Sequence, residues 1–209
     1  WPRKYLIDIY GNIVYDHIGE GAYETTEKKI QELLSERAEV LGEDKEINGD
    51  LAASKIPEPD NASGSPETYF GAWRNTNFGS GLPGIETTFT FPAPVSAKPN
   101  ILYLPGKWKI TREYAESVSD SRILFLYTAK SMYLVAGADT PVEVEVRVDG
   151  TSVPESKKGA DVHYKNGKSY VTVEKNQLYK IIEGDARESH TVEFIVPEAG
   201  LQAFAFTFG

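Results

Sequence analysis

The strict alternation of apolar and charged residues is the feature that most limits how this chain can fold. In residues 142–148 every second residue is valine and the residues between them are charged. This pattern predicts a strand with one face in a core and the other in water. Roughly ten short β-branched or aromatic runs, separated by turn residues, follow one another towards the C-terminus. We therefore expect a mainly β fold, a two-sheet sandwich of the jelly-roll type.

The predicted strands of this sandwich share β-branched or aromatic content and turn residues at both ends. They are residues 87–91, 101–104, 108–114, 122–128, 132–136, 142–148, 170–173, 178–182, 191–196 and 203–208.

The first part of the chain has a different pattern. Two β-branched and aromatic runs, 5–9 and 13–15, flank Tyr-Gly-Asn and predict a β-hairpin. Apolar residues at helical spacing then predict a helix from about Tyr23 to Arg37. A hairpin gives a lone helix little cover, so the two elements indicate the end of a larger α/β domain.

A composition change marks a domain boundary. Residues 40–65 are rich in Gly, Asp, Asn and Ser and show little periodicity, which is typical of a linker. We therefore divide the chain into a fragment of an α/β domain at 1–39, this linker, and the sandwich at 66–209.

Charge and cysteine content exclude several functions. Lys plus Arg number 22 and Asp plus Glu number 31, so the net charge is −9 and nucleic acid is not an expected partner. No apolar run reaches the roughly 18 residues of a membrane-spanning helix. The absence of cysteine rules out a disulfide, a thiolate metal site and a cysteine nucleophile within these 209 residues.

Aromatic and polar residues supply the candidate ligand-binding positions. Tyr69, Trp73 and Arg74 form a set that suits a sugar, because flat rings cover the apolar face of a pyranose; the alternative is that the two rings pack under the linker. Trp108 is a weaker candidate, since it alternates with Ile110 and is expected to point into the core.

Histidines add one further candidate pair. Asp161 and His163 lie two residues apart and form either a polar ligand site or a local turn hydrogen bond. His17, His163 and His190 are too scattered for a metal site, and the Asp-rich loop that binds calcium is missing, so we expect no metal and no cofactor. No Gly-X-Ser-X-Gly motif supports a hydrolase.

Two resemblances emerge from these segments. The opening Trp-Pro-Arg-Lys-Tyr-Leu-Ile-Asp-Ile-Tyr-Gly-Asn-Ile-Val-Tyr, followed by Gly-Glu-Gly and a helix, resembles the last third of a thioredoxin-like domain of the TlpA and redoxin type. Pro2 matches the cis-proline that faces the redox pair in such domains. The rest of the chain, with Ser-Pro-Glu-Thr-Tyr-Phe-Gly at 65–71 and the ending Phe-Ala-Phe-Thr-Phe-Gly, resembles the C-terminal domain of DipZ-type proteins.

The DipZ resemblance implies a location and a set of partners. In that family a CcdA-like membrane domain precedes an extracytoplasmic thioredoxin-like domain and a jelly roll similar to carbohydrate-binding modules. The implied location is the periplasm or the cell-envelope face, tethered to the membrane by the parent protein. The implied partners are the upstream redox and membrane domains and a glycan or protein ligand.

A departure from the family decides what this chain can do alone. Thioredoxin chemistry requires a Cys-X-X-Cys pair, and the chain has none. The resemblance therefore implies a bacterial thiol-disulfide oxidoreductase whose redox pair lies upstream of this fragment, with the jelly roll as a non-catalytic accessory. The alternative is a structural or oligomerisation module without a ligand, for instance a homodimer through the exposed hairpin and helix.

Overall fold

The hairpin and helix of the first part of the chain are present. In the computed structural model, which describes residues 3–19, 21–43, 47, 49–51 and 64–209, β1 (Arg3–Ile7) pairs antiparallel with β2 (Ile13–Ile18). Asp8 fixes the connection, because its Oδ1 accepts hydrogen bonds from the backbone N–H groups of Tyr10 and Asn12 at 2.9 and 2.8 Å. The prediction of a hairpin is confirmed.

The helix α1 (Tyr23–Leu41) is longer than its sequence pattern predicts. It begins at the expected residue but continues past Arg37, and it ends where Gly42 adopts a φ of 65°. The Gly42 N–H then donates to the Glu39 carbonyl at 3.2 Å, a glycine C-cap that closes the last turn. Among the described residues no helix is long and apolar enough to cross a membrane.

Strands are the main regular structure of residues 64–209, as the sequence predicts. Their bounds are β3 (Thr68–Tyr69), β4 (Thr87–Phe91), β5 (Leu102–Tyr103), β6 (Gly106–Ile110), β7 (Ala115–Ser119), β8 (Ser121–Gly137), β9 (Val142–Val148), β10 (Thr151–Ser152), β11 (Val162–Lys165), β12 (Lys168–Val173), β13 (Gln177–Val196) and β14 (Gln202–Phe208). A single 3-10 turn, Glu155–Lys157, separates β10 from β11.

The strands of this second part pair antiparallel in the order β11-β12-β9-β13-β8-β14-β7-β6-β4, with β10, β3 and β5 attached to β9, β14 and β8. The long β8 and β13 pair along most of their lengths, and β13 changes register on either side of Glu183. These strands surround one hydrophobic cluster with members from both ends of the strand order. The architecture is mainly β and consistent with the expected sandwich.

The valine strand behaves as its alternation predicts. Val142, Val144, Val146 and Val148 are at most 5% exposed, and the charged residues between them are partly exposed.

The chain divides into two compact units, residues 1–62 and 63–209. The buried hydrophobic cluster belongs to the second unit.

Candidate functional site

A close contact between two backbone segments builds the main surface groove. Gly71 lies so near the turn between β6 and β7 that a Cβ on it would be 2.2 Å from the Glu113 carbonyl carbon. Because the glycine has no side chain, the segment after β3 reaches this turn and pairs with it. Ala72 N–H donates to Thr111 O at 2.8 Å, and Trp73 N–H donates to Arg112 O at 2.9 Å.

This pairing places the side chains of Trp73 and Arg112 together. The Arg112 guanidinium carbon lies over the indole, 4.3 Å from the ring centroid. Trp73 nevertheless remains 64% exposed, an unusual state for the largest apolar side chain. The pair is therefore a solvent-accessible aromatic and cationic surface held by a backbone ladder.

A second pair of the same kind lies beside the first. The Arg74 guanidinium carbon is 3.7 Å from the ring centroid of Tyr69, whose hydroxyl donates to Glu67 Oε2 at 2.5 Å. This hydrogen bond to the carboxylate, with partial burial, raises the pKa of Tyr69 above its usual range. Tyr69 thus remains a neutral hydrogen-bonding phenol at any physiological pH.

The two pairs line a continuous groove. One depression of about 470 Å³ is bounded by both pairs and by β14, and a second of about 270 Å³ adjoins it. Trp73, Arg112 and Glu113 belong to both depressions. Tyr114 lines the smaller depression and Phe204 the larger one, and their ring centroids are 5.2 Å apart. We call this surface the Trp73 groove.

The groove offers aromatic faces, guanidinium donors and carboxylate acceptors. This combination suits the binding of a hydroxyl-rich ligand with flat apolar faces. Three of the residues nominated from the sequence, Tyr69, Trp73 and Arg74, are brought together here. Arg112, Glu113 and Phe204 were not nominated, because they come from distant parts of the chain that only the fold joins.

Trp108 is not part of this surface. Its side chain is 0% exposed in the core, and its Nε1 donates to Pro105 O at 3.1 Å. Its nomination as a ligand-binding residue is wrong, because a fully buried and satisfied indole offers nothing to a ligand. The expectation that it alternates inward with Ile110 is the correct one.

Asp161 and His163 have separate partners. Asp161 Oδ2 accepts a hydrogen bond from the Lys180 backbone N–H at 2.7 Å. His163 stacks beside Tyr170, with 6.1 Å between ring centroids, and its Nε2 is 3.8 Å from Glu143 Oε1. The pair lies at the start of β11, at the opposite end of the strand order from β4, and lines neither depression of the Trp73 groove.

A polar network around His190 was not foreseen. His190 Nδ1 is 2.7 Å from Asp149 Oδ2, and its Nε2 is 3.2 Å from Glu188 Oε2, which also contacts Lys157 Nζ. Burial opposes the negative charge of Asp149, but hydrogen bonds from the Thr191 N–H and His190 outweigh it and lower the pKa of Asp149. This network fastens the turn after β9 to β13.

No group of three or more potential metal ligands occurs among the described residues. Pro2, the expected cis-proline of the redox site, lies outside the described residues.

Comparison with known proteins matches these features to a family. Residues 65–209 match the family described as "Thioredoxin like C-terminal domain". The whole chain is 30% identical over 219 aligned residues to Protein DipZ of Mycobacterium bovis and of Mycobacterium tuberculosis, and it spans 27% of the length of those proteins. Among solved structures, a family two carbohydrate esterase from Clostridium thermocellum in complex with cellohexaose aligns over 46% of this chain and 27% of its own, at 14% identity and a TM-score of 0.36.

The family match covers the entire sandwich together with the Trp73 groove, and the DipZ similarity extends over the hairpin and helix as well. The chain belongs to the Thioredoxin like C-terminal domain family and corresponds to a DipZ-type C-terminal region.

Proposed function

We propose that this chain is a non-catalytic accessory region of an extracytoplasmic thiol-disulfide oxidoreductase, and that its sandwich binds a glycan of the cell envelope through the Trp73 groove. The exposed Trp73, held beside Arg112 by the backbone ladder, is the observation that carries the proposal.

An exposed indole on a rigid support is suited to sugar rings. The apolar face of a pyranose loses contact with water when it stacks on an aromatic ring, and the gain is largest when the ring needs no reordering. Trp73 meets this condition because its backbone is paired with the turn at Arg112. Hydroxyls of the sugar would then find the guanidinium of Arg112 and the carboxylate of Glu113 along the same groove.

The redox part of the proposal follows from the relatives. The chain spans 27% of the DipZ proteins it matches, and it has no cysteine, so any dithiol chemistry belongs to other parts of such a protein. We propose that residues 1–39 end a thioredoxin-like domain, that residues 40–65 are a linker, and that residues 66–209 form the module similar to carbohydrate-binding modules. The membrane-tethered location at the periplasmic or cell-envelope face is proposed on the same basis.

Binding to insoluble polysaccharides tests the glycan role. The full chain is mixed with peptidoglycan, cellulose and chitin, and the depletion of protein from solution is measured. We expect retention on at least one of them and its loss on Trp73→Ala. Phe89→Ala is the matched control, because Phe89 is an aromatic side chain of similar exposure, 57%, that does not line the groove. Retention of Trp73→Ala at the level of the unaltered chain would contradict the proposal.

A second candidate function is self-association, supported by the first unit of the structure. Tyr5, Ile7, Ile30 and Leu34 are between 40 and 60% exposed, and they line a groove of about 480 Å³ between β1 and α1. Exposed apolar surface of this kind marks an interaction face. Sedimentation equilibrium of the full chain and of Ile7→Glu tests it: a dimer that dissociates in the variant supports self-association, and a monomer in both contradicts it.

A further inference from the structure

The arginines differ in whether a carboxylate forms an ion pair with them. Arg3, Arg37, Arg122 and Arg147 each form an ion pair with a carboxylate. Arg74 and Arg112 form none with any described residue, although acidic residues outnumber basic ones by 31 to 22 in the chain. Arg74 and Arg112 both line the Trp73 groove.

Aromatic rings take the place of carboxylates at these two positions. The guanidinium carbon of Arg74 lies 3.7 Å from the Tyr69 centroid, and that of Arg112 lies 4.3 Å from the Trp73 centroid. A guanidinium placed over a ring is oriented through its face, while its N–H groups at the edge stay available for hydrogen bonds. The groove therefore holds two positioned cations whose donors are not used by any carboxylate of the described residues.

Three carboxylates line the groove beside the two guanidiniums, and they oppose an anionic ligand without occupying the arginine N–H groups. Glu67 accepts the hydrogen bond of the Tyr69 hydroxyl. Glu86 and Glu113 line the groove as well, but no ion pair joins either of them to an arginine among the described residues.

From this arrangement we infer that the Trp73 groove selects acidic glycans, chains whose sugars carry carboxylates. The inference rests on the proposed glycan binding. A carboxylate accepts two parallel N–H bonds from a guanidinium, a stronger and more directional contact than a neutral hydroxyl makes. A uronic-acid chain stacked on the exposed part of Trp73 would bring such groups to Arg112 and Arg74, which line the same depression.

A pair of polymers that differ only in charge tests the inference. Polygalacturonate and its methyl ester have the same sugars, and only the first carries carboxylates. We expect the full chain to bind polygalacturonate about tenfold more tightly than the ester, the effect of one charge-assisted contact. The net charge of −9 makes this a demanding test, because unspecific electrostatics favours the uncharged ester.

Substitutions test whether the groove arginines cause the preference for polygalacturonate over its ester. Arg74→Gln and Arg112→Gln should each reduce the ratio of the two affinities several-fold. Arg122→Gln removes a positive charge from an exposed ion pair outside the groove and should leave the ratio unchanged. Melting curves of all three variants verify that they are folded.

The outcomes separate the two proposals. Equal or tighter binding of the ester, or a preference that survives both groove substitutions, overturns the inference and leaves the glycan role intact. If the chain binds neither polymer and none of peptidoglycan, cellulose and chitin, the proposed function itself fails and takes the inference with it.

Discussion

Trp73 and Arg112 are joined twice, once through the backbone and once through their side chains. The Trp73 N–H donates to the Arg112 carbonyl at 2.9 Å, and the Arg112 guanidinium carbon lies 4.3 Å from the indole centroid. Because the backbone contact fixes both residues, the aromatic surface exists before any ligand arrives. Preorganisation of this kind lowers the entropy cost of binding.

Gly71→Ala should disturb this arrangement, because the added Cβ would be 2.2 Å from the Glu113 carbonyl carbon and the backbone would have to move apart. We expect a loss of about 1 to 3 kcal/mol in the free energy of unfolding, the usual cost of overpacking, together with weaker glycan binding. Urea denaturation and the polysaccharide assay measure the two effects. Gly49→Ala is the control, since nothing lies within 4 Å of a Cβ there; equal behaviour of the two variants would contradict the role of the close contact.

Val144→Asp should unfold the sandwich. Val144 is 0% exposed at the centre of β9, so the substitution buries a carboxylate without a partner and costs more than about 3 kcal/mol. Circular dichroism should show loss of the cooperative melting transition. Glu143→Gln, one residue earlier on the solvent side, removes the exposed charge contacts with Lys165 and His163 and should cost less than about 1 kcal/mol. A melting curve for Val144→Asp that matches the unaltered chain would refute the placement of this strand.

Acidic pH should weaken the hydrogen bonds that hold the turn after β9 to β13. The pKa of Asp149 is lowered in the folded state, so its contribution to stability is complete above the unfolded pKa of about 3.9 and is lost as the pH falls through the folded value. Unfolding free energies of the unaltered chain and Asp149→Asn should therefore differ at pH 6 and converge as the pH decreases below about 3.9. Asp139→Asn, in the exposed turn before β9, serves as the control. A difference between the unaltered chain and Asp149→Asn that does not change with pH would argue against the contacts of Asp149 with Thr191 and His190.

The chain alone should not reduce disulfides. It contains no cysteine, so no thiolate is available to attack a disulfide sulfur. In an insulin-reduction assay with dithiothreitol, we expect the rate to equal the buffer blank, with thioredoxin as the positive control. A rate clearly above the blank would refute the non-catalytic role of this region.

The sequence pattern predicts the bounds of some strands correctly, but it divides two long strands into shorter ones. Strands β4 and β9 have the bounds expected from their sequence alternation. The sequence predicts β8 as two shorter strands, 122–128 and 132–136, and β13 as two, 178–182 and 191–196. In the structure β8 is continuous, and the register shift between Glu183 and Glu188 accommodates the gap in β13 as an irregularity within a single long strand.

Only the part of the groove whose residues are close together in the sequence could be predicted. Tyr69, Trp73 and Arg74 follow one another closely in the sequence, so their chemistry could be recognised as a set. Arg112 lies far along the chain, and its position depends on the approach that Gly71 allows. No local pattern reports such an approach, and a glycine among aromatic residues was the sole sequence signal for it.

Chemical-shift mapping tests the central claim most directly. The 15N-labelled full chain is titrated separately with cellohexaose, chitohexaose and hexagalacturonate. Our account predicts that at least one of them, and most strongly hexagalacturonate, shifts the Trp73 indole resonance and the backbone resonances of 111–114 and 204–205, while the resonances of 161–165 stay unchanged. If none of the three sugars shifts the groove resonances, or if the shifts concentrate at 161–165, the Trp73 groove is not the binding site.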